Sequence, residues 1–113
     1  MNSETIGVTV TFREPVTFHL RMIGVAEENK LRQKMFGLTE KEQAEKAYQN
    51  NVDLLADLSE KLPDGMYPDG TPKCPHPEAI REYFKEKTVL KERLAEYAVR
   101  GYFIRLQPSV DFL

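Results

Sequence analysis

From Thr5 the chain alternates. Ile6, Val8, Val10 and Phe12 fall on one side, and Thr5, Gly7, Thr9, Thr11 and Arg13 on the other. Period two with β-branched enrichment predicts a half-buried strand over 5–13. Glu14-Pro15 breaks it, because proline has no N–H to give a ladder. The alternation resumes at Val16, Phe18, Leu20 and Met22, with Thr17, His19 and Arg21 opposite. Two readings stay open for residues 16–25: a second strand that completes a hairpin, or a helix capped by Thr17 with Leu20 and Ile23 on one face.

The period then lengthens. Residues 26–36 are mostly good helix formers and stop at Gly37, a suitable residue just past a helix end. Thr39 and Glu42 match a capping box. Behind them Ala44, Tyr48, Val52, Leu55, Leu58 and Leu62 recur every three or four residues, which predicts a helix over about 40–62. Leu55 and Leu58 are its expected core. A third helical pattern follows Pro77, with Ile80, Tyr83, Phe84, Leu90, Leu94, Tyr97 and Ala98 as its stripe, interrupted at Lys87-Thr88. "YFIRLQP", 102–108, continues the helix or forms a short strand; Pro108 ends either. The expected fold is α+β, mainly α: an N-terminal strand or hairpin packed on an antiparallel helical hairpin, in one small domain spanning 1–113.

Between the two long helical patterns lies a Pro/Gly-rich loop, 63–77. Pro63-Asp64-Gly65 and Pro68-Asp69-Gly70 are turn chemistry, with proline presetting φ and glycine accepting positive φ. The loop also holds the only cysteine, Cys74, two residues from His76. Structural zinc needs four ligands, usually in paired spacings. One Cys and two His do not supply them, so no metal is expected. Nor is Cys74 expected to be a nucleophile, because prolines 72, 75 and 77 stiffen the segment that a base would have to bend. The loop reads as a stiff, solvent-facing connection, with Met66 and Tyr67 as the apolar contacts it could offer a partner.

Composition narrows the function further. Sixteen basic and eighteen acidic residues leave a net charge of −2, which gives no basic excess for nucleic acid. Glu42 with Lys46, Asp57 with Lys61 and Glu96 with Arg100 read as helix-supporting pairs. No run approaches the roughly 20 apolar residues of a membrane span. "MNSETIG" lacks the basic-then-apolar order of a signal peptide, and a single cysteine suits a reducing compartment. A cytoplasmic location is expected. His19 reads as structural, no phosphate loop or hydrolase motif occurs, and no cofactor is expected. The last twelve residues, "YFIRLQPSVDFL", are dense in apolar side chains. Tyr67, Tyr102, Phe103, Val110, Phe112 and Leu113 are the candidate partner contacts, for another protein or for self-association into a homo-oligomer.

Around the first turn, Phe12, Arg13, Glu14, Pro15 and Thr17 give the chain a segment that resembles the opening of phage tail assembly chaperones. That resemblance implies a small, largely helical protein without an active site, which binds phage structural proteins during tail building. The leading expectation is therefore a non-enzymatic protein-binding module. The alternatives are a small inhibitor of phage or mobile-element origin that masks a host protein, and a small enzyme using Cys74 or a carboxylate.

Overall fold

The computed structural model describes residues 4–36, 38–69 and 74–108. Two strands, β1 (Thr5–Thr11) and β2 (Pro15–Arg21), are followed by helices α1 (Val25–Phe36), α2 (Glu40–Leu58), α3 (Glu78–Tyr83) and α4 (Val89–Arg105). The fold is α+β and mainly α. The open choice at residues 16–25 resolves as a strand. β2 runs antiparallel to β1 in a register that sets Thr5 opposite Arg21, Val8 opposite Phe18 and Thr11 opposite Pro15. The alternation decides this: Val16, Phe18 and Leu20 are all buried, which a helix over the same residues would not achieve.

The capping box at the start of α2 forms as the spacing predicts. The Glu42 amide donates to Thr39 Oγ1 at 3.2 Å, and Thr39 Oγ1 in turn donates to the Glu42 carboxylate at 2.9 Å. This helix ends four residues before the expected 62. From Ser59 onward the backbone turns to pair with β2: Leu20 bridges Ser59, and the Glu60 amide donates to the His19 carbonyl at 2.8 Å. Thr17 and Asp64 then exchange two main-chain bonds, each 2.9 Å. The first part of the proline loop therefore forms a third, short pairing partner of the sheet and is not a solvent-facing tether. Pro63 and Met66 are buried, so Met66 belongs to the core and offers nothing to a partner. Gly65 makes this approach possible. It sits at φ +85°, and a Cβ there would collide with the Pro15 carbonyl oxygen.

The third helical pattern is two helices. α3 stops at Tyr83, and α4 restarts behind Thr88, whose hydroxyl accepts from the Lys91 amide at 3.1 Å. Tyr48, reaching over from α2, donates its hydroxyl to the Phe84 carbonyl at 2.6 Å and so occupies one of the acceptors freed by the break. The restart changes the phase of the helix. Leu94, Ala95, Ala98, Val99, Tyr102 and Phe103 turn inward, while Leu90 and Tyr97, expected in the core stripe, are exposed. A single hydrophobic cluster joins Ile6, Val8, Phe18 and Leu20 of the hairpin to Leu55 and Leu58 of α2, Ile80 and Phe84 near α3, and the inner face of α4. Gly101 lets α4 lie close on β1, since a Cβ there would come within 2.7 Å of Val8 Cγ1.

Candidate binding groove

A concavity lies between α2 and α4. Gln43, Ala47, Asn50 and Asn51 form one wall from α2, spaced so that they share a helix face. Glu92, Glu96, Arg100 and Ile104 form the other from α4, with Val99 and Phe103 beneath and Met35 of α1 at one end. Its volume is about 520 Å3. Ile104 is two-thirds exposed (67%), so its side chain stands at the mouth as an apolar contact.

Charges of both signs line this groove, and each has a partner. Lys87 Nζ lies 3.3 Å from Glu92 and 5.2 Å from the centre of the Tyr48 ring. Arg100 pairs with Glu96 at 3.0 Å, as their i,i+4 spacing predicts. Partial burial, then the neighbouring Glu92, push the Tyr48 hydroxyl above its ordinary value, so it stays protonated as a donor. The arrangement combines an apolar floor, amide groups on one wall and paired charges on the other.

The candidates named from the sequence scatter. Tyr102 is fully buried, its hydroxyl donating to the Arg21 carbonyl at 2.7 Å, and Phe103 is 6% exposed beneath Arg32, whose guanidinium lies 4.8 Å from the ring centre. Tyr102 closes the core, so the expectation that it faces a partner is corrected, while Phe103, also largely buried, belongs to the floor of the groove; they carry apolar density past Gly101 because α4 continues to Arg105 and needs an inner face there. Tyr67 is half-buried, donating to the Ala79 carbonyl at 2.7 Å and packing edge-on against Tyr83. Val110, Phe112 and Leu113 lie outside the described residues. The groove itself was missed. Its signal was present in Ala47, Asn50 and Asn51, small and polar positions beside the α2 stripe, but only α4's changed phase brings Ile104 opposite them.

His19 and Asp64 form a second polar pair, Nε2 to Oδ2 at 2.8 Å, and the hydrogen bond from His19 holds the Asp64 carboxyl below its ordinary value. The pair clips the loop to β2. Cys74 is a partly buried thiol, and the His76 Nε2 atom is buried without a hydrogen-bond partner among the described residues. Asp57, expected to pair with Lys61 along a longer helix, instead accepts from Arg81 at 2.9 Å, and Asp53 accepts from the same guanidinium, tying α3 to α2. Among the described residues no three His, Cys, Asp or Glu side chains converge as metal ligands would, and no helix is long and apolar enough to cross a membrane. Fold and groove thus define a small, mainly helical α+β domain. Compared with known proteins, the chain matches no family model, no curated protein and no solved structure.

Proposed function

We propose that this chain is a non-enzymatic protein-binding module that receives an amphipathic helix of its partner in the α2–α4 groove. The observation that carries the reading is the groove itself, with its apolar floor, exposed Ile104 and rims bearing both Lys87 and Arg100 and Glu92 and Glu96. From Glu92 to Ile104 its α4 wall runs about 18 Å, which suits about three turns of a docked helix. Paired charges at the rim favour a partner whose own flanks carry both signs, and they steer association more than they strengthen it. The likeness of Phe12, Arg13, Glu14, Pro15 and Thr17 to phage tail assembly chaperones supports a narrower reading: the partner is a phage structural protein, bound in the cytoplasm during tail assembly.

Co-purification with tail-tube and tape-measure proteins tests both levels. Wild-type chain is expected to retain one of them, and Ala47→Glu, which puts a charge over the apolar floor, is expected to lose it while keeping its melting temperature. Retention by the variant would remove the groove from the account. Capture of a host enzyme in place of any structural protein, lost again in Ala47→Glu, would favour the inhibitor reading.

A further inference from the structure

Among the described residues the outer edge of β1 is open. Thr17 of β2 spends both its main-chain groups on Asp64, so the facing pair Thr9–Thr17 is one that shares no main-chain bonds. By the same alternation the N–H and C=O groups of Thr5, Gly7, Thr9 and Thr11 all point away from β2. Among the described residues no backbone group bonds to them, and all four residues are exposed. A Cβ placed on Gly7 would meet nothing within 4 Å. Natural edge strands are normally guarded by lysine, proline, a bulge or a covering element. "TIGVTVT" has no charge and no proline.

A second unexplained feature lies beside this edge. The phase of α4 leaves Leu90 (53% exposed), Tyr97 (43%) and Ile104 (67%) in a line, each two turns from the next. Phe12, at the end of the hairpin and 44% exposed, meets Tyr97 edge to face at 6.3 Å. Between ridge and strand runs a shallow cleft of about 380 Å3, lined by Val8, Val10, Phe12, Tyr97 and Gly101. A strand added to β1 would sit about 4.8 Å outside it and would set alternate side chains into this cleft.

We propose that the occupant is a second copy of this chain, paired β1 to β1 about a two-fold axis, with α4 against α4. Antiparallel pairing centred on Val8 sets Thr5 opposite Thr11 of the second copy and Gly7 opposite Thr9, so that every open group on both edges finds a partner, roughly eight main-chain bonds. On the cleft side Val8 then meets Val8 of the second copy and Val10 meets its Ile6, and the threonines form a polar ladder on the other. Charge is complementary at the ends: Glu4 precedes the strand and Arg13 follows it, so each end brings Glu4 of one copy beside Arg13 of the other. The ridge is symmetric as well. An antiparallel α4 pair centred on Tyr97 places Leu90 over Ile104, which covers the three ridge side chains that the monomer leaves exposed. The two surfaces share Ile104, at the groove's mouth, while the α2 wall of the groove, Gln43, Ala47, Asn50 and Asn51, remains accessible on the other flank of the helix.

Sedimentation velocity of the isolated full chain tests it, alone and with two substitutions. Thr9→Pro removes an outward N–H and leaves the main-chain bonds to β2 in place, losing there only the exposed hydroxyl contact with Thr17 at 2.8 Å, and Leu90→Lys charges the ridge. Wild-type protein is expected to sediment as a dimer at micromolar concentration. Each variant is expected to weaken association by about tenfold or more while circular dichroism and the monomer's melting temperature are kept. A wild-type monomer throughout the range would overturn the proposal. So would a dimer indifferent to Thr9→Pro, whatever Leu90→Lys does, because the contact would then not run through the strand.

Discussion

Tyr102 shows how one side chain settles a local question. Its ring fills the space between α4 and the end of β2, and its hydroxyl satisfies the Arg21 carbonyl. Burial pushes that hydroxyl up to about 12, so the fold binds the neutral form. A raised value means that this contribution is complete below the ordinary tyrosine value of 10.0 and is lost as pH climbs from there toward about 12. Tyr102→Phe is expected to cost about 1–3 kcal/mol at neutral pH, from the stranded carbonyl. It is also expected to flatten part of the alkaline loss of stability, as read in urea melts at pH 7 and across pH 9–12. A variant as stable as wild type, with an unchanged alkaline slope, would show that the hydroxyl has no such role. Nothing in the local pattern announces this burial. "YFIRLQP" has the apolar density of a contact surface, and only the continuation of α4 to Arg105 turns two of its aromatics inward.

Among the elements, what was legible depended on how local the cause was. β1 follows from its alternation, and α2 begins where Thr39 and Glu42 say it should. The end of α2 was misplaced by four residues because Ser59 to Asp64 are recruited by β2, a contact between segments some forty residues apart that no window of sequence contains. The split into α3 and α4 left only a faint trace, the polar Lys87-Thr88 within the stripe. Its consequence, the exposure of Leu90 and Tyr97, needed the geometry. Where the stripe is unbroken the expectation is quantitative. Leu55 and Leu58 are 0% and 2% exposed, and Leu→Ala at such sites costs about 2–5 kcal/mol. Denaturant melts of Leu55→Ala and Leu58→Ala should show that loss in each. A change below about 1 kcal/mol in both would mean that α2 does not turn this face to the hairpin.

For the molecule as a whole, the apolar surface is divided in a way that suits a binding protein. One face of α4 closes the core, and its flanks are left to two surfaces that meet at Ile104: the groove toward α2, and the ridge beside the edge of β1. Neither was visible in composition, which is that of an ordinary globular chain, because both depend on which residues face outward after the core has formed. The central claim is that the α2–α4 groove holds a partner helix. Photo-crosslinking in the native cells addresses it most directly. A photoreactive residue would replace Ala47 within the groove, and a control would replace Lys85, an exposed residue outside its lining. The account predicts one discrete protein adduct from position 47, absent from position 85 and reduced by a second substitution, Ile104→Glu. No adduct from position 47, or the same adduct at equal yield from position 85, would contradict it.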